Sequence, residues 1–410
     1  MTVEKLKIAM LSVHSCPVGN LGAKDTGGMS VYVREVARNL GRQGHWVDVY
    51  TRVHGPKDRQ IVALGPNARL IHLKAGQGDE IHKLLVYCHL PEFACSLENF
   101  RKQNSLEYDL VFSHYWLSGL VGERLQQWWQ VPHLITFHTL GAVKNAIGIG
   151  EDEPELRIES ERHLIRDCHH IIATTQEEKE DLIRYYSALP ESTSIIPCGV
   201  DLELFRPVDK DITKRKLGFN NLRLILFVGR IEPLKGIDRL IEAMTYLKSY
   251  QNLRLGIIGG DGYDQHEIKR LKKLSQELNL EDKVIFLGAI GQEKLLYLYS
   301  AADVSVIASY YESFGLVILE SLACGTPVVT TSVGGADGII HQAQTGYVVA
   351  NNTPWELADK IALLLARPKA DKKSISLIRN SVAGFGWDII AGAIANECQA
   401  VLRDYLAKRG

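Results

Sequence analysis

The chain has 410 residues, with 47 Lys and Arg against 48 Asp and Glu, and a formal net charge of −1. Charge this evenly balanced gives no electrostatic reason to expect binding to nucleic acid or to an anionic membrane surface. The length exceeds what one hydrophobic core usually serves, so two domains of about 200 residues each are expected.

The amino-terminal sequence and the cysteines indicate the compartment. MTVEKLKIAMLSVHS lacks the apolar core of a signal peptide, and no run approaches the roughly 18 apolar residues of a membrane span. The seven cysteines include no CxxC pair, which favours buried free thiols over a metal cluster or a disulfide framework. We therefore expect a cytoplasmic protein without a transmembrane segment.

Short apolar runs alternate with helical patterns along the whole chain. In the first half the runs are KIAMLSV, WVDVYTR, LVFSHY, HLITFH, IIATT and SIIPCG, with the amphipathic VYVREVARNLGRQG after the first of them. The pattern starts again with LRLILFVGR, LRLGIIGG, KVIFLGA, VSVIAS, TPVVTTS and TGYVVA. Such alternation predicts parallel sheets covered by helices on both faces.

The predicted fold class is α/β, with two doubly wound Rossmann-like domains that face each other across a cleft. We place the first domain at residues 1–200, the second at 201–386 and a helical tail at 387–410. The stretch 198–221 is the expected linker, because Pro207 and a run of charges indicate a break in packing. Ligands of open α/β sheets bind beyond the carboxyl ends of the strands, so the cleft is the expected site.

Two cations follow the first strand of the second domain, in VGRIEPLKG. Arg230 and Lys235 stand on the turn before a helix that begins near Gly236. Cations beside the positive end of a helix suit a diphosphate. The alternative is a solvated loop with incidental charges.

Two carboxylates flank a mostly apolar run in ASYYESFGLVILESLACGTPVV. A helix is predicted from about Phe314 to Cys324, and Gly315 at its start would let a phosphate approach backbone N–H groups. Glu320 could accept both hydroxyls of a ribose, as carboxylates do in dinucleotide folds, while Glu312 would face the sugar. Two unrelated surface carboxylates are the alternative, although the apolar flanks argue against an exposed helix.

The first domain offers small and polar residues at the same cleft. In DTGGMSVYV, Gly27 and Gly28 would let a phosphate or an acceptor meet the backbone. Tyr115, His138 and Thr139 follow two predicted strands, in SHYWLSG and TFHTLGAVKN. A lone His in such a place is more often structural than functional.

Together these motifs, in this order, resemble the retaining GT-B glycosyltransferases of family 4 over nearly the whole chain. The resemblance implies that Arg230 and Lys235 bind the diphosphate of a nucleotide sugar, which we expect to be UDP-linked. It further implies that Glu320 holds the ribose, Glu312 contacts the transferred sugar, and His138 lies near the anomeric carbon. The implied catalytic residues are His138, Arg230, Lys235 and Glu312, and the donor site also includes Gly28, Phe314, Gly315 and Leu316.

Within that family the motifs GGM, HYWLSG, HTL and VKN resemble the inositol-phosphate N-acetylglucosaminyltransferases of mycothiol synthesis. This implies a phosphorylated polyol or sugar as the acceptor, such as inositol phosphate. The implied acceptor residues are Ser30, Lys83, Tyr115, His138, Thr139 and Arg157. DTGG is shared instead with sucrose-phosphate synthases, so transfer to fructose 6-phosphate is an alternative. A lipid or glycan acceptor of the cell envelope is another.

The resemblance also implies front-face transfer, in which the leaving diphosphate helps to deprotonate the acceptor and no cofactor or metal is required. The DxD string at Asp209 and Asp211 lies among linker charges, and we read it as solvated. An epimerase, a phosphorylase and a non-catalytic sugar-nucleotide binding protein are the other classes considered, although a phosphorylase would need a pyridoxal lysine and a longer chain. The expected partners are small molecules, with a homodimer left open and no nucleic acid.

Overall fold

The computed structural model describes residues 5–19, 26–76, 83–260 and 265–409, and it forms two open α/β sheets that confirm the predicted fold class. The strands of the first sheet are β1 Lys7–Leu11, β2 Trp46–Arg52, β3 Ile61–Gly65, β4 Ala68–Leu73, β5 Leu110–His114, β6 His133–Thr136, β7 His170–Ala173 and β8 Thr193–Ile195. The helices of this half are α1 Gly28–Arg42, α2 Lys83–Val86, α3 Leu90–Gln103, α4 Trp116–Trp129, α5 Gly141–Ile147, α6 Glu155–Asp167 and α7 Gln176–Tyr186.

The first sheet has the order β3-β4-β2-β1-β5-β6-β7-β8. Its pairs are parallel except at the edge, where β3 runs antiparallel to β4. This hairpin was not predicted. The side chains of β3 are exposed or half-buried, so the strand lacks the continuous apolar run that marks the central strands.

The second sheet consists of β9 Arg223–Val228, β10 Leu253–Ile258, β11 Val284–Gly288, β12 Val304–Ile307, β13 Val328–Thr331 and β14 Gly346–Val349. It is parallel, in the order β11-β10-β9-β12-β13-β14. Its helices are α8 Lys210–Lys216, α9 Ile237–Ala243, α10 Gln265–Glu277, α11 Gln292–Ala301, α12 Leu316–Ala323, α13 Ala336–Ile339, α14 Pro354–Leu365, α15 Lys372–Asn380 and α16 Trp387–Ala407. Both sheets therefore direct the carboxyl ends of their central strands to loops that can meet in a cleft.

The carboxy-terminal helix α16 returns to the first half of the chain. It packs along α1, where the Trp387 ring meets Tyr32 edge-on at 5.7 Å and Gln43 Nε2 donates to the Asp388 carbonyl at 2.7 Å. Glu397 lies 2.9 Å from His170 on β7. Two separate crossings, one by 198–221 and one by α16, thus connect the two halves.

The stretch 198–221 is not the break in packing that its charges indicated. Asp209 caps α8 by accepting from the Ile212 N–H at 2.8 Å, and Lys210 and Lys214 both reach the Asp303 carboxylate, at 2.9 and 2.7 Å. The charge run is therefore anchored to the second sheet. Asp211 is exposed, as expected.

The cysteines and the helices are the two features that the sequence analysis connected with the compartment. All seven cysteines are free, but Cys88 and Cys95 are exposed, which corrects the expectation that the thiols are buried. Both lie on the surface-facing helical segment between β4 and β5. Among the described helices, none combines the length and apolarity that crossing a bilayer requires.

Candidate active site

A cavity of about 390 Å³ lies between the two halves, within the usual size range of small-molecule sites. It brings together most of the predicted site residues. From the first half these are Gly27, Gly28, Tyr115, His138, Thr139 and Arg157, and from the second half Arg230, Lys235, Glu312, Phe314, Gly315, Leu316 and Glu320.

The loop after β9 presents the two predicted phosphate-binding cations. Its 3-10 turn, Pro233–Lys235, ends at Gly236 with φ +61°, where a Cβ atom would lie 2.1 Å from the Ala308 carbonyl oxygen. Only glycine fits that close approach. Lys235 is thereby placed with its Nζ 2.6 Å from Glu312 Oε1, while Arg230 keeps 48% of its side chain exposed and pairs with Glu232 at 3.0 Å.

The carboxylate of Glu312 accepts hydrogen bonds from two neighbouring side chains. Besides Lys235, Ser309 Oγ donates to Glu312 Oε1, at 2.8 Å. These two hydrogen bonds fix the orientation of the Glu312 carboxylate in the wall of the cavity. Such a fixed acceptor suits the recognition of sugar hydroxyl groups.

Helix α12 begins at Leu316, two residues later than predicted, after Gly315 in the left-handed conformation with φ +74°. Its start faces the glycine loop of the first half: a Cβ atom on Gly28 would lie 3.5 Å from Leu316 Cδ1. The N–H groups of this helix start and the small residues opposite leave room for a phosphate between the two halves.

Glu320 lies one to two turns into α12 and is buried. Tyr299 OH donates to its Oε2 at 2.8 Å, and Gln292 Nε2 donates to its Oε1 at 3.1 Å. Burial raises the pKa of Glu320 to about 7. Because each carboxylate oxygen has two lone pairs, an ionised Glu320 can still accept two ribose hydroxyls. Tyr299 and Gln292 were not predicted from the sequence, because they lie on another helix, α11.

His138 is part of a buried pair that the sequence did not reveal. Its Nε2 lies 3.1 Å from His114 Nδ1, at the end of the neighbouring strand, and its φ is +62°, which is uncommon for a non-glycine residue. Burial lowers the pKa of His138 to about 3, and burial also lowers the pKa of His114 well below its usual range, so both rings are neutral at physiological pH. From the sequence, only the expected adjacency of β5 and β6 could have indicated that His114 and His138 lie together.

Arg157 is the centre of a buried ion cluster on the first-half wall of the cavity. Its Nε lies 2.7 Å from Glu161 Oε1 and its Nη1 lies 2.9 Å from Glu153 Oε2, with only 1% of the side chain exposed. Nη2 donates to the carbonyl and the hydroxyl of Thr139, at 2.8 and 3.0 Å, and the guanidinium lies 4.8 Å from the centre of the Tyr115 ring. Arg157, Thr139 and Tyr115 therefore do converge, but the guanidinium is neutralised by protein carboxylates.

A second cation on this side was overlooked. Lys144 lines the cavity and pairs with Glu153, and 22% of its side chain is exposed, far more than that of Arg157. It stands in the VKN motif one turn into α5. Lys144 is thus the more accessible of the two first-half cations that line the cavity.

Of the remaining predicted acceptor residues, the described structure places Ser30 outside the cavity lining and does not describe the side chain of Lys83. Ser30 is fully buried on α1, with its Oγ 2.6 Å from Ser15 Oγ, and it does not line the cavity. Ser30 belongs to the buried face of α1, which explains why its side chain does not line the cavity. Lys83 begins α2, but its side chain lies outside the described residues.

Comparison with known proteins identifies the family. Residues 26–204 match Glycosyltransferase Family 4, and residues 209–381 match Glycosyl transferases group 1. The chain is 35% identical over 404 residues to a D-inositol 3-phosphate glycosyltransferase from Corynebacterium efficiens, covering 95% of this chain and 94% of that protein. It is 36% identical over 417 residues to D-inositol 3-phosphate glycosyltransferase 2 from Catenulispora acidiphila, covering 98% and 97%.

Among solved structures, a sucrose-phosphate synthase from Thermosynechococcus elongatus has a TM-score of 0.89 at 33% identity, covering 98% of this chain and 100% of that one. One conclusion follows from the two Rossmann-like sheets, from the cleft that both of them line, and from relatives of this similarity over nearly the full length. The chain belongs to the family 4 glycosyltransferases and has the GT-B fold.

Proposed function

We propose that this protein transfers a hexose from a UDP-linked sugar to a phosphorylated polyol or sugar, with retention of anomeric configuration. The observation that carries the donor half is the joint placement of Lys235, Glu312 and Glu320 along one wall of the cavity. In this proposal Glu320 accepts from the ribose, Lys235 and Arg230 face the diphosphate, and Glu312 holds the sugar. The opposite wall, with His138, receives the acceptor.

The acceptor phosphate is proposed from the relatives' names and from Lys144. The matched relatives act, by name, on inositol 3-phosphate or make sucrose phosphate, so both involve a phosphorylated compound. Lys144 is the partly exposed cation of the first-half wall, and a phosphate would compete with Glu153 for it. Inositol 3-phosphate is the first candidate. Fructose 6-phosphate is the second, favoured by the 33% identity to the sucrose-phosphate synthase.

Retention is proposed from the resemblance to the retaining family 4 glycosyltransferases, and the placement of the carboxylates supports front-face transfer as its route. Retaining glycosidases need a nucleophilic carboxylate across the anomeric carbon from the acid. Among the described residues that line the cavity, the carboxylates are Glu232, Glu312 and Glu320, all from the donor half. Glu312 is already bound by Lys235 and Ser309. Front-face transfer, in which the diphosphate oxygen takes the acceptor proton, needs no further carboxylate.

The donor assignment predicts ligand-induced stabilisation that does not require a divalent metal, because Arg230 and Lys235 supply the positive charge. UDP-, ADP- and GDP-linked sugars should be compared by thermal unfolding, each with excess EDTA and with magnesium. We expect one UDP-sugar at 100 times its Kd to stabilise the fold by about 2.7 kcal/mol under both conditions. Stabilisation only with magnesium would show that a metal holds the diphosphate, and no shift with any donor would contradict the proposed function.

A further inference from the structure

We infer that Arg34, on α1 of the first half, is a positioning residue for the donor ribose, because it crosses the cleft and fixes Gln292 against Glu320. The inference rests on the proposed nucleotide-sugar donor. Arg34 Nη2 donates to Gln292 Oε1 at 2.9 Å, and Gln292 Nε2 donates to Glu320 Oε1 at 3.1 Å. The ribose carboxylate on the second half is therefore connected to a helix of the first half by two consecutive hydrogen bonds.

The chemistry of the amide explains what Arg34 does. A glutamine side chain presents one acceptor and one donor end, and the guanidinium of Arg34 can only donate. With Oε1 of Gln292 accepting from Arg34, its Nε2 must face Glu320. Without Arg34 the amide oxygen loses its partner, so the Gln292 side chain is free to rotate away from Glu320 and its Nε2 no longer has a fixed position against the carboxylate. Tyr299 would then be the one described donor still holding Glu320.

Charge acts in the same direction. Burial raises the pKa of Glu320 to about 7, whereas Tyr299, Gln292 and Arg34 oppose that rise. Two further titratable groups lie near this set: Cys324, which caps the carboxyl end of α12, and Glu35, which pairs with Arg34 at 2.9 Å. The ionised carboxylate that accepts ribose hydroxyls therefore prevails above pH 7 and is lost as the pH falls through 7. Removing Arg34 moves that loss to higher pH.

The test compares the affinities of UDP and 2′-deoxy-UDP, with ADP measured in parallel, by titration calorimetry between pH 6.5 and 8.5. Both uridine ligands carry the same diphosphate. Protonation of that diphosphate therefore changes both affinities equally, and the ratio of the two affinities reports on the contact between Glu320 and the 2′-hydroxyl. We expect Arg34→Met to reduce the preference for UDP by about tenfold at pH 7, and to shift its decline to higher pH. Gln292→Ala should do the same, and the double variant should add little.

Arg38→Met is the matched control, since Arg38 lies one turn further along α1 and pairs only weakly with the same Glu35, at 3.9 Å. It should leave the ratio unchanged. An unchanged ratio in Arg34→Met would overturn the inference, and an equal fall in both affinities would show that the lost interaction is one that UDP and 2′-deoxy-UDP share rather than the contact with the 2′-hydroxyl. If the unmodified protein bound neither UDP nor ADP, the proposed function would fail together with the inference.

Discussion

Lys235→Met is expected to lower the rate of glycosyl transfer by about 10²- to 10³-fold, the usual effect of removing one well-placed donor from a charge that develops in the transition state. Lys235 Nζ lies 2.6 Å from Glu312 in the wall of the cavity, where 14% of the lysine side chain is exposed. In the proposed reaction negative charge grows on the leaving diphosphate beside this ammonium group. The measurement is kcat for release of the nucleoside diphosphate.

The control for Lys235 separates catalysis from stability. Removing the lysine leaves Glu312 without its cation, which by itself can destabilise the fold. The double variant Lys235→Met with Glu312→Gln removes that unpaired charge, so its melting temperature should recover while its rate stays well below that of Glu312→Gln alone. Equal rates of the double variant and Glu312→Gln would mean that Lys235 serves only to neutralise Glu312, and the assignment to the diphosphate would be wrong.

Arg157→Met is expected to lower the free energy of unfolding by about 3 to 5 kcal/mol, because it leaves the buried Glu161 without its cation and leaves the buried Glu153 with Lys144 alone. The side chains of Glu153 and Glu161 are 3% and 0% exposed. The loss should appear in urea unfolding without any ligand present. Adding Glu161→Gln to this variant should restore part of the stability.

Arg162→Met provides the matched control on the same helix α6. Arg162 pairs with Glu159 at the surface, where 45% and 58% of the two side chains are exposed, so its removal should change the free energy of unfolding by less than about 1 kcal/mol. Equal effects of the two substitutions would contradict the role given to the buried cluster. In that role Arg157 holds Thr139 and Tyr115 in place, and Lys144 is left to meet the acceptor.

The sequence predicted the central strands well because parallel strands buried on both faces form continuous apolar runs. WVDVYTR is β2, residue for residue. The β3–β4 hairpin was not predicted because its edge strand β3 is exposed or half-buried and therefore has no continuous apolar run. That Lys235 and Glu312 line the cavity could be predicted because each lies in the loop that follows a strand of the second sheet, where βα loops meet.

The supporting residues could not be predicted for a different reason. Gln292 and Glu320 belong to separate helices, and only the packing of α11 against α12 brings them together. Arg34 comes from the other half of the chain. Ser30 illustrates the converse: its motif lies beside the cleft, but the helical turn directs this side chain into the core. Spacing along the chain identifies residue types at strand ends, whereas their partners depend on tertiary contacts.

The central claim, hexose transfer to a phosphorylated acceptor, is tested most directly by acceptor-dependent release of UDP from the UDP-sugar that stabilises the protein. Inositol 3-phosphate and fructose 6-phosphate should each be compared with its dephosphorylated form, inositol or fructose. We predict that one phosphorylated compound raises UDP release about 10- to 100-fold above its dephosphorylated form, since charge-assisted hydrogen bonds to Lys144 are lost without the phosphate. Equal rates within both pairs, or UDP release independent of any acceptor, would contradict the account.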